Sequence, residues 1–386
     1  MGLVASIIHF YAFLHSFVFN CYYHYCVRDF WRRHRRKIFL SVGIVGGGYC
    51  LYKLYGAHRQ RLDALEMELD VQRQSDELIK SQMQAHFENI QRISDTITLP
   101  HSMHNLSCRI AQDLDLSHLL ERLIQGKGQP NTLTQSEKLD LWGRLKILSF
   151  TRMALSVWAT VMLSLYTKVQ VNILGRHLYI DTARSLESSN LLMESEDVVD
   201  GEDKQKFLGS VDFLSQHGMP ALISDMEEAT KEVLKGKQLT SLFNNTTFDE
   251  TITDILNTFM SRGSPHFWVK YIIPEDAKLH STASGSNDTV PLDMTEFDQL
   301  VMEARGVLSS AEFGSVVEIS LKAVVDTLRE LMGTTSVPLA RALPQVAQMC
   351  PLLLEEPSKN QFIQILKNIP EVELFLTFLY ANMPSA

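Results

Sequence analysis

For some forty residues, from Leu141 to Ile180, the chain contains no proline, and from Met153 to Thr167 it contains no charged side chain. A helix there is apolar on every side, which leaves it two stable environments: a membrane, or the interior of a bundle. The uncharged stretch between Arg152 and Lys168 falls short of the roughly 20 residues a span requires, and its flanks are charged or polar. The segment therefore predicts the central helix of a soluble all-α bundle. Its start is marked by Thr134 and Glu137, which have the spacing of a capping box.

The rest of the chain supports that class. Helical periodicity is expected at 102–112, 116–125, 204–217, 220–235, 248–262, 295–308, 311–332, 338–354 and 358–381. No run of alternating strands and no internal repeat occurs. GKGQPN at 126–131 reads as a loop and the acidic stretch at 187–203 as a surface loop. Upstream, Leu62, Leu65, Leu69, Met83, Phe87 and Ile90 recur at three- and four-residue steps with charges between them, a long amphipathic helix that Pro100 is expected to end.

The N-terminus is a different object. Residues 1–55 carry seven basic side chains against Asp29 alone, a charge of +6, and since the whole chain is −9 the remainder is −15. An acidic body of that size repels a phosphate backbone, so nucleic acid is not an expected partner. Apolar segments free of Asp, Glu, Lys and Arg at 3–27 and 38–52 flank RDFWRRHRRK. The second, with Lys37 and Lys53 snorkelling to the headgroups, makes a short but adequate anchor within residues 28–55. Gly43 and Gly47 have the spacing that lets spans approach closely, which leaves self-association through the span open. Residues 1–27 lack the basic start and small-residue cleavage site of a signal peptide and are an apolar extension of unsettled status. Cys21 and Cys26 lie beside the basic block, where acylation is a weak alternative. With five cysteines and no CxxC pair, neither a disulfide framework nor a Cys-rich zinc site is expected, and residues 56–386 read as a reduced, cytosolic all-α domain.

Chemistry-bearing motifs are missing. His101 and His104 have no third ligand at metal spacing, Gly46-Gly47-Gly48 is not followed by GK[ST], and no nucleophile elbow, HExxH or dinucleotide fingerprint occurs. An enzyme is therefore a poor reading, and no cofactor is implied. What the body offers instead is Lys138, Trp142, Leu145 and Ser149 at i, i+4, i+7 and i+11 on one stripe near the capped start of the central helix. Spacing alone leaves Trp142 either a core residue or an exposed anchor for a partner helix.

A basic block, a short Gly-containing span, a long helix beyond it and LWGRLKILSFTRMALSVWATVMLSLYTKVQVNILGRHLYID together resemble the peroxin-3 family. The likeness covers roughly 27–386, is most specific over 137–181, and returns in VPLARALPQV at 337–346. It implies an N-terminal membrane anchor followed by a large, elongated helical bundle in the peroxisomal membrane, its large domain facing the cytosol. That domain would dock peroxin-19, the soluble receptor for peroxisomal membrane proteins, by taking the receptor's N-terminal amphipathic helix into an apolar groove. By resemblance the anchor of that groove is Trp142, with Lys138 and Leu145 beside it and Leu123 and Arg341 completing the rim. Arg32, Arg33, Arg35, Arg36 and Lys37 then serve as a targeting signal contacting peroxisomal membrane lipids. Residues 1–26 have no counterpart in the family pattern. A helical tether between an organelle and a cytoskeletal or organelle partner is the alternative, and it would need no apolar groove.

Overall fold

The capping box expected at Thr134 is present. In the computed structural model, Glu137 Oε2 accepts from the Thr134 amide and hydroxyl, both at 2.8 Å, while the Glu137 amide donates to Thr134 Oγ1 at 3.3 Å. The structure describes residues 2–128, 134–187, 197–274 and 295–381. Their α-helices are α1 (Gly2–Ile93), α2 (Leu99–Asp113), α3 (Ser117–Gly128), α4 (Gln135–Glu187), α5 (Asp197–Gly209), α6 (Met219–Leu234), α7 (Asn245–Met260), α8 (Glu296–Leu308), α9 (Ala311–Met332), α10 (Leu339–Leu353), α11 (Gln361–Lys367) and α12 (Pro370–Ala381). The expected all-α class is what the chain adopts. The chain divides into two compact units, Met1–Ser81 and Gln82–Ala386. The first is helix throughout its described length, and its apolar side chains at Leu40, Ile44, Leu51 and Tyr52 are exposed.

The second unit is organised on α4. From Ser149 to Val171 almost every side chain of this helix is buried, including Phe150, Trp158 and Tyr166. Among the described residues α4 is the one helix apolar and long enough to cross a membrane, and its apolar stretch is enclosed by the bundle, as its sequence predicts. Helices α2, α3, α6, α7, α8, α9, α10, α11 and α12 all pack on it. Ser156, Thr160 and Ser164 keep the surface of α4 narrow, which lets neighbouring backbones come close. Thr160 Oγ1 donates to the Leu353 carbonyl at 3.1 Å, the same oxygen that accepts from Asn360 Nδ2 at 2.8 Å. Asn360 Oδ1 caps α11 through the Phe362 and Ile363 amides, so one buried asparagine joins the end of α10 to the start of α11. Around Trp158 an edge-to-face cluster of Phe259, Trp268 and Tyr271 fills the middle of the core at centroid distances of 5.5–6.5 Å.

Pro100 does not end the upstream helix. The chain passes from α1 through a wide π turn, Ser94–Thr98, into α2, where Pro100 occupies the first turn and Leu99 donates to the Ser94 carbonyl. A proline there withholds only an N–H that the wide turn leaves without an ordinary acceptor, and its ring escapes the clash it would meet in a regular helix. The device recurs before α6, where the π turn Leu214–Gly218 is followed by Pro220 in the first turn. At the second junction the backbone is held tightly: a Cβ on Gly218 would lie 2.1 Å from the Tyr271 carbonyl oxygen.

Three further expectations need correction. Residues 197–203, read as part of a surface loop for their acidity, form the first turns of α5, where Lys206 reaches back to Glu202 and Asp203 at 3.1 and 3.5 Å and offsets their charge. The single helix expected at 358–381 is two, α11 and α12, because Pro370 starts a new helix after a break at Asn368–Ile369. A two-stranded antiparallel ribbon, β1 (Leu242–Phe243) with β2 (Val337–Pro338), also exists, too short to leave a periodic signal. Residues 126–128 of the expected loop instead form the end of α3, and 129–131 fall outside the described residues.

Candidate functional site

The capped start of α4 sets the orientation of its first turns. With Thr134 fixed by Glu137, and the Lys138 amide bonded to the Thr134 carbonyl at 3.0 Å, Lys138 and Trp142 fall one turn apart on the same face. Hydrogen bonds from the Thr134 backbone and side chain hold the Glu137 carboxyl below its ordinary range, so the cap is charged at neutral pH, with Arg122 of α3 contributing a smaller favourable field. On α3, Asp115 Oδ1 accepts from the Ser117 amide at 2.9 Å and starts that helix, which then packs on α4.

At the edge where the two helices meet, Leu119, Leu120 and Leu123 from α3 and Trp142 from α4 are half-buried and rest on the core. On the same two helices Ile124 of α3 is 69% exposed and Leu139 of α4 is 61% exposed. Leu139 stands three residues before Trp142, so it adjoins the indole on the helix surface. These partly buried side chains pack on the core, and Lys138 and the exposed Arg122 are the basic residues of the same helical turns. One turn beyond Trp142, Lys146 is committed elsewhere. Its Nζ donates to the Leu234 and Lys237 carbonyls at 3.1 and 2.7 Å, satisfying the C-terminal end of α6. Burial pushes this amine below its usual range.

Of the residues singled out in the sequence, Leu123 lies on α3 and Lys138 and Trp142 on the first turns of α4, each partly buried. Leu145 is not on the surface. It is 2% exposed and belongs to the core, because i+7 from Lys138 turns just far enough inward to face the bundle. Arg341 is exposed in the first turn of α10, and no described hydrogen bond, ion pair or ring contact joins it to Trp142. The side chains of Arg32, Arg33, Arg35 and Arg36 lie outside the described residues, and Lys37 is exposed on α1. Sequence reasoning passed over Leu119, Leu120, Ile124 and Leu139. The signal was the spacing Leu119, Leu120, Leu123, Ile124 in a short helix with no second apolar neighbour in sequence.

Among the described residues no cluster of three or more His, Cys, Asp or Glu could hold a metal. His101 lies 3.6 Å from Asp212, and His104 lies 3.6 Å from Cys108 Sγ, each at the surface of α2. Neither arrangement supplies an activated nucleophile in a pocket. The chemistry available at the α3–α4 edge is burial of apolar surface with a basic margin.

A family model described as peroxin-3 matches residues 124–382. Peroxisome biogenesis protein 3-2 of Arabidopsis thaliana is 54% identical over 367 residues, which cover 93% of this chain and 99% of that protein. Peroxisomal biogenesis factor 3 of Homo sapiens is 27% identical over 385 residues, covering 92% of this chain and 96% of that protein. The matched region contains α4 entire, with Lys138, Trp142 and Arg341.

Proposed function

This chain belongs to the peroxin-3 family, and from that premise we propose that it is a membrane-anchored docking factor that recruits the soluble receptor for peroxisomal membrane proteins, peroxin-19. The family is one of biogenesis factors rather than enzymes, and membership gives the chain a role in peroxisome biogenesis and membrane protein insertion. In the finer reading, residues 28–55 hold the chain in the peroxisomal membrane with the basic block as targeting signal. Residues 56–386 face the cytosol as the docking domain.

The observation that carries the docking reading is the state of Trp142. A large aromatic at the start of a buried central helix is left partly exposed, three residues after Leu139, which is mostly exposed. An apolar surface with a packed floor and a cationic margin suits the apolar face of an amphipathic helix. A tether that holds two organelles together needs no such surface.

The test is calorimetric titration of the chain lacking residues 1–55 with the N-terminal segment of the receptor. Saturable one-to-one binding with a negative heat-capacity change, abolished by Trp142→Ala, is the expected result. Full-strength binding to the Trp142→Ala protein would place the contact elsewhere and defeat this assignment.

A further inference from the structure

Helix α1 continues without a break beyond the apolar segment, and one of its faces is left with nothing on it. Leu62, Leu65 and Leu69 are 53%, 55% and 56% exposed, within a unit that consists of this helix alone. A solitary helix in water gains nothing from three leucines on one side.

Their spacing says what covers them. Leu51, Tyr55, His58, Leu62, Leu65 and Leu69 recur at alternate steps of four and three residues, which is the heptad of a two-stranded coiled coil, and the same steps run back to Gly48 and Ile44 inside the apolar segment. The seam stops at once beyond Leu69, where the next two positions are Gln72 and Asp76. The flanking positions carry charges of paired sign. Arg61 precedes the Leu62 position and Glu66 follows Leu65; Glu68 precedes Leu69 and Arg73 follows Gln72. In a parallel, in-register pair, the residue before one seam position meets the residue five further on in the partner. Arg61 then faces Glu66 of a second copy, and Glu68 faces Arg73, twice each by symmetry. Within one chain Arg73 lies 3.7 Å from the exposed Asp70, a contact weak enough to be exchanged.

We infer that residues 44–69 form a parallel coiled-coil dimer interface, whose occupant is a second copy of this chain. Anchoring both copies through the apolar segment in one membrane fixes the parallel orientation and raises the effective concentration of each helix for the other, which lets a short seam hold. This goes beyond docking at the α3–α4 edge and uses none of its residues.

The experiment keeps the full chain in membranes. Leu65→Cys puts a thiol on the seam and Met67→Cys puts one on the outward side of the same turn, with the native cysteines common to both. A short bismaleimide should give several times more covalent dimer with Leu65→Cys, and equal yields would overturn the proposal. Two differently tagged copies then test the charges. Arg61→Glu copies should capture one another about threefold to tenfold less than the unaltered chain, as should Glu66→Arg copies, whereas an Arg61→Glu copy mixed with a Glu66→Arg copy should pair at least as well as the unaltered chain. A mixed pair no better than either alone would overturn the parallel register. Fractionation reads anchoring separately: released protein that still cross-links at residue 65 sustains the seam without the anchor, and protein in either fraction that does not cross-link refutes it.

Discussion

Lys367 Nζ lies 3.1 Å from Asp95 Oδ2, so the last turn of α11 is tied to the π turn that joins α1 to α2, across 272 positions of sequence. Each side chain is about one-third exposed, and water therefore screens the pair. A double-mutant cycle with Asp95→Ala and Lys367→Ala should give a coupling of about 0.3–1 kcal/mol that shrinks as salt rises. Coupling that stays zero at low salt would show that the contact does not hold the junction.

Trp142 and Leu145 lie three residues apart on α4 and should respond to truncation in opposite ways. Leu145→Ala empties part of the core and should cost about 2–5 kcal/mol of stability. Trp142→Ala should cost about 1–2 kcal/mol of stability, because the indole is only partly buried, while weakening receptor binding by about 2–4 kcal/mol. Denaturant melts and titrations on the same two proteins separate the roles. A Trp142→Ala protein as unstable as Leu145→Ala would make the indole a core residue.

Gly218 should not accept a methyl group. Its added carbon would press on the Tyr271 carbonyl, which is backbone and cannot swing aside, so Gly218→Ala should cost about 3 kcal/mol or more. Gly306→Ala, with open space around it in the last turn of α8, should by contrast be neutral or stabilising by up to about 1 kcal/mol. Equal melting temperatures for the two variants would contradict this packing.

Burial pushes the Cys350 thiol up to about 12 and the Tyr166 hydroxyl up to about 12, both from lower unfolded values. Between those values the folded chain holds protons that the unfolded chain has released. The stabilisation is therefore complete below about pH 9 for Cys350 and about pH 10 for Tyr166, and it is lost as pH rises toward 12. Stability measured by urea unfolding should fall from pH 9 to pH 10, and Cys350→Ala should flatten that decline. An unchanged slope in the variant would assign the loss to other groups.

Much of this was legible in the sequence because the strongest signals are local. The capping box at Thr134 and the charge-free run after Arg152 depend on neighbours a few positions away, and both appear as written. The π turn before Pro100 was not legible, since proline ordinarily ends a helix and only tertiary packing, including Lys367, rewards the wide turn. Residues 197–203 misled because acidity suggests solvent, whereas a lysine one turn on stabilises a helix equally well. At the candidate site, Trp142 was readable as a choice between two states, and Leu145 was misplaced because a stripe of i, i+4, i+7 wraps past the boundary between surface and core.

The anchor makes a separate prediction. Deleting residues 1–26 should leave the protein in the membrane pellet, and deleting 28–55 should release it to the supernatant, because only the second segment combines a basic flank with direct entry into the long helix. Release on the first deletion alone would make the extension an essential span.

The two π turns with their trailing prolines have the same backbone design in unequal settings. At Leu214–Gly218 the turn is pressed against Tyr271, whereas at Ser94–Thr98 only Ser94 is buried and the other four side chains reach solvent to some degree, and an exposed threonine bond and one screened ion pair supply the support. Local opening should therefore begin at the first. In amide hydrogen exchange, residues 94–100 would lose protection through brief excursions that leave α4 intact, so this turn can open while the rest of the helical body stays folded.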